Sequence, residues 1–85
     1  MVEVIYVVRT KKFEKAIKSI KGSDWKEKIK SKIKKIIGNP ALGKPLKYDL
    51  HVERSVRIGP YRLIYSVKKD TLFLLRFEHR KKVYK

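Results

Sequence analysis

Three stretches of this chain, Arg54–Ile58, Tyr61–Val67 and Thr71–Arg80, alternate apolar and polar residues with a period of two. Such alternation marks β-strands with one buried face, because successive strand side chains point to opposite sides. In the first, Val56 and Ile58 share a face, and Ser55 and Arg57 take the other. In the second, Tyr61, Leu63, Tyr65 and Val67 stand opposite Arg62, Ile64 and Ser66. In the third, Phe73, Leu75 and Phe77 form the apolar set, against Leu72, Leu74, Arg76, Glu78 and Arg80. Placing the three apolar sets on one core projects Arg57, Arg62, Arg76 and Arg80 from the opposite face of one sheet. Two readings of that face stand side by side. Guanidinium forks match phosphate oxygens, so the cluster is a phosphate site; alternatively, the arginines are solubilising groups on a solvated face. Ile64, Leu72 and Leu74 accompany them, and exposed apolar groups among charges mark a protein-binding surface. The assignment holds while strand phase is unbroken, since a bulge inverts the faces beyond it.

The charge balance favours an anionic partner. Lysine and arginine number 24 against 8 acids, a net charge of +16. Such an excess attracts polyanions and makes association fast and salt-sensitive. Most lysines crowd between Lys11 and Lys35. A solvated helical surface in a lysine-rich, heat-adapted proteome accounts for their number, but not for the shortage of acids. Eighty-five residues, 42% of them apolar, allow one small domain with a modest core. There is no cysteine, so disulfides and thiolate metal sites are excluded, in keeping with a reducing cytoplasm. No run approaches the roughly 18 consecutive apolar residues of a membrane span. The N-terminal MVEVIYVVRT lacks the basic start and the length of a signal peptide. These features predict a cytoplasmic protein with no membrane partner.

The N-terminal run Val2–Arg9 reads as a strand that is apolar on both faces and hence buried on both. Thr10 can cap the helix that follows, in which Phe13, Ala16, Ile17 and Ile20 recur at helical spacing. Gly22 ends it, and Ser23 or Asp24 starts the next, with Asp24 and Glu27 at capping-box spacing. Trp25, Ile29, Ile33, Ile36 and Ile37 form that helix's apolar stripe, and Gly38-Asn39-Pro40 stops it. Ala41–Pro45 reads as a loop and Leu46–Val52 as a strand. Gly59-Pro60 and Lys68-Lys69-Asp70 read as turns. The predicted fold is α+β, a two-layer β-α-α-β-β-β arrangement. A helical hairpin packs on one face of a mainly antiparallel four-stranded sheet, leaving the arginine face open.

The acids are scattered, with no pair at ligand spacing, and the only histidines are His51 and His79. Gly43-Lys44-Pro45 precedes a strand and is not a phosphate-binding P-loop. Metal-free RNA cleavage stays open. A ribose 2′-OH can attack its own adjacent phosphate, given a base, an acid and cations for the crowded phosphorane. Arginines supply the cations. A lysine or tyrosine in a cationic cleft has its pKa lowered and can serve as base or acid. Tyr84, Lys81 and Lys82 are the candidates nearest Arg80. Tyr84 equally suits stacking on a displaced base, or is an ordinary C-terminal residue. His79 falls on the core side, where a structural role is expected, and His51 on the open face. Trp25, Tyr61 and Tyr65 read as packing residues.

These elements and motifs together resemble the RelE/ParE superfamily of toxins from toxin–antitoxin pairs. The resemblance rests on Asn39-Pro40 and Gly43-Lys44-Pro45-Leu46, on Val56-Arg57-Ile58-Gly59-Pro60-Tyr61-Arg62-Leu63-Ile64-Tyr65, and on His79-Arg80-Lys81-Lys82-Val83-Tyr84. It covers nearly the whole chain and identifies residues 1–85 as a single RelE-like domain. It implies an acidic, RelB-like antitoxin that binds the basic face, with the ribosome and mRNA as further partners and no cofactor. In the RelE branch it implies cleavage of mRNA in the ribosomal A site, leaving a 2′,3′-cyclic phosphate. By motif position, Arg62 and Arg80 would stabilise the phosphorane, Arg57 would bind phosphate, and Tyr84 would orient or stack on substrate. Lys47, Lys81 and Lys82 follow as RNA or ribosome contacts, while Arg76 joins the set by alternation alone. The chain departs from the family at Ser55, where many members carry a second basic residue, and at Glu78, which often is glycine. It also stops at Lys85, where many members continue into a helix. A ParE-type inhibitor of DNA gyrase without catalysis and a plain nucleic-acid binder are the competing functions.

Overall fold

A computed structural model describes residues 3–20, 22–45 and 53–79. Two tight turns organise its sheet. Gly59, at φ 60, and Pro60 link Arg54–Ile58 (β3) to Tyr61–Lys68 (β4). Positive φ at the first turn residue and proline's negative φ at the second give a type II′ turn, whose twist matches the flanking strands. Lys69 and Asp70 link β4 to Thr71–His79 (β5), with Lys69 at φ 56, where a side chain is strained. The N-terminal strand Tyr6–Arg9 (β1) pairs parallel with β5, and the two-residue strand Lys44–Pro45 (β2) pairs antiparallel with β3. The order is β1-β5-β4-β3-β2. Among the described residues the sheet therefore has five strands rather than four. The added strand lies in the segment read as a loop, while the predicted strand Leu46–Val52 lies outside the described residues.

Between β1 and β2 run the helices Lys11–Ser19 (α1) and Ser23–Gly38 (α2). Thr10 caps α1 by accepting the Phe13 N–H at 3.2 Å. No side chain caps α2; Gly22 stands at its N-cap at φ 105, so Asp24 lies inside the first turn instead of forming the expected box. There its carboxylate still favours the positive end of the helix dipole. Asn39 closes α2 as predicted, its N–H reaching the Lys35 and Ile36 carbonyls. Among the described residues no helix is long and apolar enough to cross a membrane.

The core joins Phe13, Ile29 and Ile36 of the helices to Val56, Ile58, Leu63, Tyr65, Leu72, Leu74 and Phe77 of the sheet. Trp25 meets Tyr61 edge-on at 5.3 Å, and Tyr61 stacks on Phe77 at 5.0 Å. Trp25 also sits over Gly59, where a Cβ would come within 2.5 Å of its ring.

Two further expectations are overturned. Leu72 and Leu74 are fully buried in the core instead of lying on the arginine face, and Ile64, which keeps that face, is buried too, so these three form no exposed apolar patch among the arginines. The pairing of β4 with β5 steps from Ile64↔Arg76 to Tyr65↔Leu74, leaving Leu75 as an extra residue. This bulge inverts phase on its N-terminal side, so Phe73 and not Leu74 shares the face of Ser66. The second concerns β1, whose four residues are all exposed rather than buried on both faces. Among the described residues it is an edge strand with one neighbour, and Ile5 and Tyr6 are each more than 60% exposed.

Candidate nucleic-acid interface

The strand register assembles the open face row by row. Arg57 of β3 stands directly across from Arg62 of β4, and Glu78 of β5 lies beyond. Two residues along, Lys44, Ser55, Ile64 and Arg76 form the next row across β2, β3, β4 and β5. Two like charges set directly opposite each other repel. An anion between them relieves that repulsion. Arg57 is exposed, its Nε donating to the Gly59 carbonyl at 3.3 Å. Arg62 is half-buried, and its Nη1 donates to Ser55 Oγ at 3.1 Å. Arg76 is on this face, as alternation requires, but it is ion-paired. Its Nη2 lies 2.7 Å from Glu53 Oε1, and its Nε lies 3.4 Å from Glu78 Oε1. Those carboxylates offset its charge, and Arg57 and Arg62 are the two arginines set directly opposite each other.

A hollow of about 350 Å³ opens over that pair, with Lys32, Lys44, Ser55, Arg57 and Arg62 in its wall. A second, of about 540 Å³, adjoins it between α2 and the β3–β4 turn, lined by Glu27, Lys28, Lys32, Lys35 and Arg57 among others. Lys32 and Arg57 border both. The surface is thus continuous from the arginine pair to the lysine face of α2, a shape and charge suited to a polyanionic strand.

The loop before β2 is held by a buried clamp. The Tyr65 hydroxyl donates to the Pro40 carbonyl and accepts the Gly43 N–H, both at 2.8 Å. Arg54 Nη1 donates to the Gly43 carbonyl at 2.7 Å. Gly43 admits no side chain, because a Cβ would lie 2.9 Å from the Tyr65 ring and 3.0 Å from the Ser55 carbonyl. Burial pushes the Tyr65 phenol above its ordinary pKa, against smaller opposing effects of the Gly43 N–H and the Arg54 charge. The clamp explains the Asn39-Pro40 and Gly43-Lys44 motif structurally and delivers Lys44 to the arginine face.

The family sequence pattern of the ParE toxin of the parDE type II toxin–antitoxin system matches residues 7–84. The chain belongs to this toxin family. No curated protein sequence matches it significantly. Three solved structures resemble the toxin in fold. The Methanococcus jannaschii RelB–RelE complex matches at 24% identity and TM-score 0.72, over 91% of this chain and 94% of that one. The Pyrococcus horikoshii RelE–RelB complex matches at 20% and 0.76, over 94% and 97%. The Mycobacterium tuberculosis RelBE2 toxin–antitoxin complex matches at 26% and 0.73, over 88% and 96%.

Of the site residues predicted for the toxin, the structure brings Arg57 and Arg62 together and turns Arg76 toward carboxylates. Arg80, Tyr84, Lys47, Lys81, Lys82 and His51 lie outside the described residues. His79 is exposed, with its ring edge-on to Tyr61 at 5.6 Å. Sequence reasoning missed Lys32 and Lys44. Lys32 is one of many helical lysines, and nothing local separates it from its neighbours. Lys44 had a signal in its glycine–lysine–proline setting, but its place across from Ser55 depends on a register that the sequence does not display.

Proposed function

We propose that this toxin is a ribosome-dependent endoribonuclease that cleaves mRNA in the A site. The observation that carries the reading is the Arg57–Arg62 pair, directly opposed across two strands at a lysine-lined hollow. Two guanidinium groups at one point suit a phosphate whose charge grows in the transition state. The ribose 2′-oxygen bonds to the adjacent phosphorus while the bond from phosphorus to the 5′-oxygen breaks. The 2′ oxygen loses one proton and the 5′ oxygen gains one, so no net proton and no co-reactant is consumed. The products are a 2′,3′-cyclic phosphate and a 5′-hydroxyl. Arg62 and Arg80 stabilise the phosphorane, Arg57 binds phosphate, and Tyr84 orients or stacks on the RNA; Lys47, Lys81 and Lys82 add backbone contacts. The neutralising partner is an acidic, RelB-like antitoxin covering the basic face in the cytoplasm. In support, each of the three similar structures is a toxin with its antitoxin.

A second reading, non-catalytic inhibition of DNA gyrase, is favoured by the match to the ParE pattern. Primer extension on an mRNA under translation in a purified system separates the two. Wild type is expected to cut at A-site codons only when ribosomes are present. Arg62→Ala is expected to slow cutting by roughly 10²–10³, with unchanged circular dichroism. Intact mRNA together with blocked supercoiling by gyrase would establish the second reading instead.

A further inference from the structure

We infer that Lys44 is a third phosphate-binding cation of the arginine site, contributed by β2 and acting on the same phosphate as Arg57 and Arg62. The inference rests on the endonuclease reading for its catalytic consequence and on geometry for its binding consequence. Lys44 pairs directly with Ser55, so the two side chains leave the sheet on the same face. Ser55 is also the residue that receives Arg62 Nη1. Lys44, Arg57 and Arg62 line one hollow. Adjacent strands lie roughly 4.8 Å apart and residues two along a strand roughly 6.6 Å apart. Lys44 is thus roughly 8 Å from Arg57 and roughly 12 Å from Arg62 between Cα atoms, spans that long lysine and arginine side chains converging on one anion can close.

The position is built. Gly43, immediately before Lys44, is fixed at its N–H by Tyr65 and at its carbonyl by Arg54. Pro45, immediately after, has a locked φ and pairs with Arg54. The Lys44 backbone is therefore pinned on both sides, while its side chain stands exposed. The small Ser55 side chain beside it leaves the route to the arginine pair open. Among the described residues no carboxylate is ion-paired to Lys44, in contrast with Arg76.

The test uses wild type, Lys44→Ala, Lys44→Arg and Arg62→Ala in the translation assay. It adds binding of a short single-stranded RNA oligonucleotide across a salt series. Lys44→Ala is expected to cleave roughly 10²-fold more slowly, and Lys44→Arg within a few-fold of wild type, because the charge and not a proton transfer is required. The slope of log affinity against log salt is expected to shrink by roughly 0.7 for Lys44→Ala. Lys68→Ala, at the far end of β4, should leave that slope unchanged. Wild-type cleavage by Lys44→Ala, or a Lys44→Arg variant as slow as alanine, overturns the inference while Arg62→Ala remains slow. Absence of cleavage by wild type sinks the endonuclease reading alone; the salt slope then decides Lys44, and an unchanged slope overturns it.

Discussion

The hydroxyl of Tyr65 holds together residues more than twenty positions apart, joining the end of α2 to the strand that carries Lys44. Tyr65→Phe keeps the ring in the core but leaves the buried Gly43 N–H without its partner. Such a loss costs about 1–3 kcal/mol, and urea unfolding of the two proteins should show it. The same hydroxyl predicts an alkaline limit. Its pKa is raised in the folded state above the ordinary value of 10.0, so the unfolded chain gives up this proton first as pH increases. The stabilisation is complete below pH 10, and it declines as pH rises above that value toward the folded pKa. The Phe variant should lack this component of the decline, read from unfolding midpoints between pH 9 and 11, roughly one unit either side of a free phenol's pKa. Alternation alone placed Tyr65 in the core and Arg57 and Arg62 opposite it. It could not reveal what the phenol bonds, because period-two patterning carries the face of a residue and nothing about partners in distant loops.

Thr10 works at the scale of elements. It caps α1, and its hydroxyl also lies 2.9 Å from the Leu74 carbonyl and 3.0 Å from the Leu75 carbonyl, at the bulge of β5. A helix start and a strand irregularity are thereby fastened at one point. Thr10→Ala should cost about 2 kcal/mol, the upper end for a lost N-cap, because it also removes the bond to the bulge. Thr10→Ser should restore most of it, as thermal unfolding would show. The cap was legible, since threonine before a periodic apolar run is a local signal. The bulge was not, because Leu72–Leu75 is apolar at every position and fits either phase, and the residue that stabilises the irregular one is more than sixty positions away. Arg76 and Glu78 kept their predicted face because they follow the bulge. The end of the domain also escaped: apolarity on both sides of Val2–Arg9 reads as burial, yet a strand at a sheet edge has only one neighbour to bury it.

At the scale of the whole molecule, a net charge of +16 surrounds a sheet whose β1 edge is apolar and open. An exposed edge is a template for pairing with other chains. Mutual repulsion between copies works against this, and that repulsion reaches only about a Debye length, roughly 10 Å at 0.1 M salt and 3 Å at 1 M. The two salt responses of the toxin should therefore run in opposite directions. On the proposed function, RNA affinity should fall with added salt, while light scattering should report growing self-association of the free protein over the same range. A monomer persisting unchanged at high salt would show the edge to be inert. If association occurs, the charge that attracts polyanions also serves as the molecule's colloidal protection, and a concentrated salt wash, the usual way to strip a bound polyanion, would remove that protection at the moment the protein is most alone.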